Sequence, residues 1–212
     1  IPGAAGTDVF LNRIQSYPPG WGRCFVKLTN SLNYAGWIRG QKAGHSFVTT
    51  GPMLEWDVGG RASGSTILLS APESVRVRAR ASSQFSMKGL ELIVNGAIIK
   101  TITPTAKERE LVLAEEVKLD SSGWLAVRCT SENGGFPERG RTLGGHTNPV
   151  FVEIPGRPFN AKADAEYFLA WIDRLEGDLK KRDRIPVGLE HVKSQLETAR
   201  SVYRGLTGAP AR

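Results

Sequence analysis

The chain has 212 residues, of which 40% are hydrophobic and 23% are charged, values that are ordinary for a folded domain. Its longest apolar runs, such as residues 90–94, are the length of strands, so the sequence predicts no transmembrane helix and no membrane partner. The net charge of +7 would permit an anionic partner, but the positive residues are dispersed. We therefore expect a solvated basic surface rather than a nucleic-acid interface.

The start of the chain has neither an initiator Met nor a charged and then apolar leader, since it begins Ile1-Pro2-Gly3. We expect the chain to be the C-terminal part of a longer protein. The sequence does not indicate the cellular compartment of the protein. A periplasmic or secreted location would follow if the missing N-terminal region carried a signal peptide.

Two cysteines, Cys24 and Cys129, lie in apolar strand-like contexts. The usual role of such a residue is that of a small buried hydrophobe. A disulfide between them is the alternative, and two isolated cysteines do not determine the compartment.

Residues 1–50 have an α/β pattern. A strand is predicted over residues 22–29, and Asn33 can cap a short helix that Gly44 ends in the left-handed conformation. The region is too short for a parallel α/β domain, which needs several crossover units. We therefore interpret it as the last strand and helix of a fold whose body lies outside this chain.

From His45 the hydrophobic period becomes two, and about eight short strands follow one another with turns about ten residues apart. Asn95-Gly96 is the strongest hairpin signal among them. This pattern predicts a mainly β fold, with an immunoglobulin-like antiparallel β-sandwich over residues 51–156. The predicted strands cover residues 45–50, 53–58, 66–70, 74–82, 90–94, 97–102, 109–119, 124–130 and 149–154, and residues 134–145 are predicted to be a loop.

Residues 157–206 have a helical period. One apolar stripe runs through residues 165–179 and a second through residues 189–203, with Asn160 as a candidate cap and Pro186 as the break between them. Two such stripes predict a C-terminal helical hairpin. Residues 207–212 are predicted to be a frayed tail.

Few residues carry an obvious chemistry. The three histidines, His45, His146 and His191, are scattered and have no metal-ligand spacing. His191 is predicted to be an ordinary helix residue and His146 to make a hydrogen bond at a strand edge. No nucleophile elbow, phosphate loop, dinucleotide fingerprint or Cys-x-x-Cys pair is present in the sequence.

Asp8 is the exception, because it follows the small residues Ala5, Gly6 and Thr7. We expect it at the C-terminal end of a strand, where α/β barrels place metal ligands and general bases. The alternative is a turn residue or a helix cap.

Six segments in this order resemble the end of the CehA/McbA-type metallohydrolases, a branch of the PHP (polymerase and histidinol phosphatase) superfamily. The resemblance covers about residues 5–152, with a weaker similarity at residues 163–169. The segments are AGTDVFLN (5–12), GRCFV (22–26), AGHSFVTTGPML (43–54), LIVNG (92–96), SGWLAVR (122–128) and GHTNPVFV (145–152).

The resemblance implies an N-terminal seven-stranded barrel that binds divalent metals, followed by a β-sandwich. Such proteins hydrolyse ester or phosphoester bonds with a metal-bound water. Residues 1–50 would then be the C-terminal remnant of a PHP-like α/β barrel, and the missing barrel of the same protein would be the partner of this chain. We expect the fragment alone to be inactive and to bind no metal stably.

Asp8 matches the late family motif Gly-Ser-Asp-x-His and is therefore the sole candidate metal ligand in the chain. The match is incomplete, because Phe10 stands where the motif has His. Either this branch uses fewer ligands or its metal site is degenerate. His45 stands where the family often has Arg, and no chemical role is assigned to it. His146 belongs to a recurrent part of the sandwich that we expect to tie the last strand to a neighbouring loop.

A second hypothesis treats the sandwich as a non-catalytic module that binds a glycan or a partner protein. Trp56 and Trp124 could form its platform, although aromatic residues on strands are usually core. A third, compatible with the first, treats residues 51–155 as a structural support for the barrel.

Overall fold

The structure is a computed structural model that describes residues 2–12, 17–29, 31–132, 143–182 and 188–207. The chain is mainly β and divides into two compact units, Ile1–Pro158 and Phe159–Arg212. The first unit, called here the β unit, contains two sheets and a short helix. The second, the helical unit, contains a pair of helices. The predicted segments 1–50, 51–156, 157–206 and 207–212 remain a prediction.

Apart from β10 (Leu143–Thr147), the elements of the β unit follow the sequence prediction, with ends that differ by a few residues. In chain order they are β1 (Arg23–Val26), α1 (Tyr34–Lys42), β2 (Ser46–Thr49), β3 (Met53–Val58), β4 (Thr66–Leu68), β5 (Glu73–Ser82), β6 (Met87–Val94), β7 (Ala97–Ile102), β8 (Glu110–Leu119), β9 (Gly123–Ser131), β10 (Leu143–Thr147) and β11 (Val150–Glu153).

The strands form two sheets. Within the residues that the structure describes, the larger sheet has eight strands in the order β1-β2-β10-β9-β11-β4, and β6 and β7 extend it from β9. The smaller sheet has the order β3-β5-β8. The pair β4–β11 is parallel, and the other pairs are antiparallel. Because β1 and β2 join β10, the region before residue 50 is continuous with the larger sheet.

One buried cluster contains side chains from both sheets. The strand β5 illustrates its origin, because Val75, Val77 and Ala79 are buried while the arginines between them are exposed. Burying a large apolar side chain contributes about 1.5–3 kcal/mol, so this shared cluster is the main stabilising feature of the unit. Its fully buried large members include Leu90, Leu92, Leu113, Leu125, Val58, Val77, Val127, Val150 and Val152.

The hairpin predicted at Asn95-Gly96 is confirmed. The two residues join β6 to β7 with φ angles of 50° and 86°, the left-handed pair that a two-residue hairpin requires. The side chain of Asn95 also accepts a hydrogen bond of 2.8 Å from the backbone N–H of Trp124. A Cβ on Gly123 would lie 2.1 Å from that Asn95 oxygen, so this contact needs glycine at position 123.

The loop predicted over residues 134–145 is wrong at its C-terminal end, because β10 begins at Leu143. Gly144 and Gly145 have low intrinsic strand preference, and this hid the strand in the sequence. Pairing with β2 on one side and β9 on the other stabilises it. Residues 134–142 of the predicted loop lie outside the described part of the chain.

The predicted start and end of α1 are confirmed. Asn33 accepts a hydrogen bond of 2.7 Å from the Gly36 N–H, and Gly44 follows the helix with φ 77°. Tyr34, the first residue of the helix, is exposed. Gly64 packs under the end of α1 with φ 80°, and a Cβ there would lie 2.0 Å from the carbonyl oxygen of Ala43.

The helical unit contains α2 (Lys162–Arg182) and α3 (Leu189–Leu206), which confirms the predicted pair of helices. The predicted cap Asn160 accepts a hydrogen bond of 3.1 Å from the Lys162 N–H. Of the described residues in this unit, Ala165 and Leu196 are buried. Pro186 and residues 208–212 lie outside the described chain.

No helix in the described ranges combines the length and the apolar character that a membrane span requires.

Candidate functional site

The segment that carries Asp8 does not form the predicted strand. Residues 2–10 contain no regular secondary structure, and Asp8 lies exposed on the surface. The prediction failed because the small residues before Asp8 match a barrel strand in sequence, whereas a strand needs a neighbour with which to pair. The segment is instead tied to the β unit by two sets of hydrogen bonds.

The first set is centred on Asn148, which follows β10. Its side-chain oxygen accepts a hydrogen bond of 2.7 Å from the Gly3 N–H. Its side-chain nitrogen donates to the hydroxyl of Ser46 at 2.7 Å, and its backbone N–H donates to the carbonyl of Ser46 at 3.1 Å. Next to it, the Val127 N–H donates to the Thr147 hydroxyl at 3.1 Å. These bonds join the end of β10 to β2, to β9 and to the segment at Gly3, and the expected tie between the last strand and a neighbouring loop remains a prediction.

The second set joins Thr7 to Gly22, just before β1. The Gly22 N–H donates to the Thr7 hydroxyl oxygen at 3.2 Å, and that hydroxyl lies 3.3 Å from the Gly22 carbonyl oxygen, to which it donates. A Cβ on Gly22 would lie 2.8 Å from the carbonyl oxygen of Gly6, so the close approach of the two backbones depends on glycine.

Asp8 directly follows this second set and has a φ angle of 49°. Among the described residues other than glycine, Asn95 is the only other one with a positive φ, and the hairpin accounts for it. A left-handed backbone costs most residues with a Cβ about 1–2 kcal/mol, and Asp and Asn adopt it more readily than the others. Asp8 is thus an exposed carboxylate on a left-handed backbone.

The histidines are not brought together around Asp8 as a metal site. His146 donates from Nδ1 to the carbonyl of Thr147 at 2.7 Å, the kind of hydrogen bond predicted for it. His45 connects α1 to β1 through backbone bonds, because its N–H donates to Gly40 and its carbonyl accepts from Lys27. His191 lies exposed on α3.

A metal ion does not fit the described residues by themselves. No three His, Cys, Asp or Glu side chains in those ranges are grouped so that they could hold one. Asp8 supplies at most two oxygen ligands, whereas zinc takes four ligands and calcium six or more. The prediction that the fragment binds no metal stably remains a prediction, as does the role of Asp8.

Both cysteines are free thiols in the structure. Cys129 is buried between the sheets, and burial raises the pKa of its thiol to about 12. It therefore stays protonated and acts as a small apolar side chain, as predicted.

A groove of about 930 Å³ lies in the β unit where β1 and β2 face the smaller sheet, and no pattern in the sequence indicates it. Its walls include the stacked rings of Phe25 and Phe47, whose centroids are 5.3 Å apart. Three arginines of β5 also line it. Arg80 pairs with Glu110 and, at 3.6 Å, with Glu55, and it holds the pKa of Glu110 below its usual value.

The two tryptophans considered for a binding platform are partly buried. Trp56 packs against the core, and its indole N–H donates to the Ser63 hydroxyl at 2.7 Å. Trp124 lies on β9, and its backbone is held by Asn95. Neither residue alone provides an open aromatic surface.

No protein-family model matches this chain, and a search of curated proteins finds no match either.

Proposed function

We propose that this chain is the C-terminal part of a metal-dependent hydrolase of the CehA/McbA type, acting on ester or phosphoester bonds. In this proposal a barrel outside the chain provides most of the metal ligands, Asp8 adds one carboxylate, and the β unit supports the barrel. The resemblance of six segments within residues 5–152 to this family is the basis for proposing it.

In this proposal, residues 51–156 form an immunoglobulin-like sandwich. Two mainly antiparallel sheets that share one buried cluster are compatible with that architecture. The order of the smaller sheet, β3-β5-β8, requires long connections between strands that are neighbours in space, as Greek-key sandwiches have.

The proposal also includes a barrel remnant over residues 1–50. This region contributes α1 and two short strands, and its first residues have no pairing partner among the described strands. Such a region is compatible with the last part of a larger α/β layer.

The observation that carries the proposal is the conformation of Asp8. An exposed carboxylate with φ 49° sits directly after a residue that is hydrogen-bonded to Gly22. Unfavourable backbone conformations persist where the surrounding structure holds them, and they cluster at functional sites.

The test compares the chain of residues 1–212 with the longer protein that includes its upstream region. We expect the longer protein to retain a divalent metal after dialysis and to hydrolyse a p-nitrophenyl ester or phosphodiester. Asp8→Asn should lower metal content and activity together, by about tenfold or more in activity, because a charged ligand becomes neutral.

Asp120→Asn is the matched control, since Asp120 is also an exposed carboxylate on the β unit, paired with Lys118 at 3.3 Å. It should leave both measurements unchanged. Equal activity of Asp8→Asn and of the unaltered longer protein would contradict the role of Asp8. Hydrolysis by residues 1–212 alone would contradict the claim that the site is incomplete.

The second candidate function is a non-catalytic binding module for a glycan or a partner protein, and the groove favours it. Stacked Phe25 and Phe47 together with Arg76 and Arg78 line that groove, and rings of this kind bind sugar faces or apolar side chains. Binding on a glycan array that is lost in Phe25→Ala but retained in the exposed-residue control Leu68→Ala would support it. Binding unaffected by Phe25→Ala would contradict it.

A further inference from the structure

We propose that Asn148 and Thr7 form a two-point latch that holds residues 3–7 against the β unit and so positions Asp8. The inference deepens the proposed function and rests on it only for what the Asp8 carboxylate does. The latch itself consists of residues of this chain. Asn148 and Thr7 are positioning residues in this proposal, because neither is assigned a contact with a substrate or a metal.

The side chain of Asn148 is oriented by Ser46, independently of its bond to Gly3. Its backbone N–H and its side-chain nitrogen both donate to Ser46, at the start of β2, so the carboxamide plane is held from one side. The remaining oxygen accepts from the Gly3 N–H at 2.7 Å. Both Asn148, 7% exposed, and Ser46, 4% exposed, are buried, where a hydrogen bond lost without replacement costs most.

The carboxamide suits this position because it donates and accepts at the same time. An apolar side chain of similar size would leave the Ser46 hydroxyl and the Gly3 N–H without this partner. Asn148 therefore connects the β2–β10 corner to a segment 145 residues earlier in the chain.

Thr7 provides the second point. Its hydroxyl both donates to and accepts from the backbone of Gly22, and the missing Cβ of Gly22 lets the Gly6 backbone come close. The two points are four residues apart, and Asp8 is the next residue after the second. The two points therefore hold the backbone as far as the residue before Asp8, whose φ is 49°.

Breaking the latch and breaking a purely structural contact should have different effects on amide hydrogen exchange. A structural contact of the core lowers the stability of the whole β unit, so all slowly exchanging amides exchange faster by the same factor. Loss of a latch releases residues 3–8 locally and leaves the core as it was. The ratio of exchange rates at the latch and in the core therefore separates the two.

The experiment measures amide hydrogen exchange by NMR on residues 1–212, with the Gly3 and Gly22 amides as reporters of the two points and the Leu92 amide of β6 as the core reference. Asn148→Ala should raise the Gly3 rate relative to Leu92 by about five- to tenfold, since a net hydrogen bond of ordinary strength is lost. Thr7→Val should do the same for Gly22.

Thr147→Val is the matched control, because Thr147 is the buried neighbour of Asn148 and its hydroxyl binds the Val127 N–H rather than the segment. It should not raise the exchange rate of Gly3 relative to that of Leu92. If Asn148→Ala does not fold, Ser46→Ala keeps the Gly3 bond and removes only the support of the carboxamide. It should raise the relative Gly3 rate by about twofold.

A relative Gly3 rate that is unchanged in Asn148→Ala, or in Ser46→Ala where the former does not fold, overturns the latch. Exchange on this chain needs neither metal nor substrate, so the result is independent of the hydrolase assay. Local release without any metal-dependent activity in the longer protein would keep the latch and overturn the proposed function. Hydrolysis by the longer protein that requires Asp8, with no faster relative exchange of Gly3 in the variants, would support the proposed function and overturn the latch.

Discussion

The β unit and the helical unit are stabilised in different ways. In the β unit, two sheets bury one shared cluster of leucine and valine side chains. In the helical unit, Ala165 and Leu196 are the buried residues of the described part, and two ion pairs of Arg200 link the helices. The aromatic residues Phe168 and Tyr203 add a stacked pair with centroids 5.1 Å apart.

The ion pairs of the helical unit are centred on Arg200 of α3. Its guanidinium pairs with Asp173 at 2.9 Å and with Glu176 on α2, and with Glu197 at 3.4 Å on its own helix. Its side chain is 12% exposed, so this cation is better shielded than the other paired cations on the surface of this unit. Substitutions in the two units should therefore differ in the size of their effect on the free energy of unfolding and in how that effect depends on pH.

The largest effect is expected for a leucine in the shared cluster. Leu92→Ala removes a fully buried side chain, and we expect the free energy of unfolding of the β unit to fall by about 2–5 kcal/mol. Leu68→Ala is the control, because Leu68 also lies on a strand but is 75% exposed, and it should change by less than about 1 kcal/mol. Chemical denaturation measures both. Equal losses would contradict a stabilising cluster at this position.

The next effect, a difference between two glycine variants, is expected where α1 meets the loop before β4. Gly64→Ala and Gly60→Ala introduce a Cβ at almost the same backbone conformation, with φ 80° and 78°. Gly60 has nothing within 4 Å of the added atom, so we expect a loss of about 1–2 kcal/mol from the left-handed backbone alone. Gly64 adds the clash with Ala43, so its loss should exceed that of Gly60→Ala by about 1–3 kcal/mol in urea unfolding. Similar losses would show that the loop moves away freely.

The smallest effect is expected in the helical unit, and it depends on pH. Hydrogen bonds from Lys180 and Arg200 lower the pKa of Glu176 to about 2, from an ordinary value of 4.5. Because the folded pKa is the lower one, this carboxylate stabilises the folded state above pH 4.5, and the contribution is lost as the pH falls from 4.5 to 2.

Glu176→Gln should therefore reduce the loss of helix stability across that pH range, measured by amide exchange in α2. Glu190→Gln is the control, since Glu190 pairs with Lys193 at 2.7 Å but is largely exposed, and it should change amide exchange in α2 less than Glu176→Gln does. A pH dependence that is the same in Glu176→Gln and the unaltered chain would contradict this assignment.

The order and type of most elements were predictable from the sequence. Alternation at Val75, Val77 and Ala79 predicts β5 because side chains of a strand point to opposite faces in turn. Asn95-Gly96 and Asn33 predict a hairpin and a helix start for equally local reasons, since their preference lies in their own backbone and side chain. The mainly β character and the pair of C-terminal helices follow from such local signals.

Three features could not be predicted in this way. The strand β10 contains Gly144 and Gly145 and forms because β2 and β9 pair with it on both sides. The groove beside Phe25 and Phe47 arises where β1 and β2 face the smaller sheet, whose strands extend to residue 119. The role of Asn148 depends on Gly3 and Ser46, which lie more than 100 residues away in sequence.

The region of Asp8 also combines a feature that the sequence predicts with features that only the tertiary structure determines. The sequence by itself determined that a carboxylate follows a run of small residues there, and it supported a family resemblance that remains a proposal. Only the tertiary structure decided that the segment is not a strand, that Thr7 and Asn148 hold it, and that Asp8 adopts a positive φ. The physical reason is that periodicity and caps act over a few residues, whereas these contacts depend on which distant backbone groups the folded sheets bring within hydrogen-bonding distance.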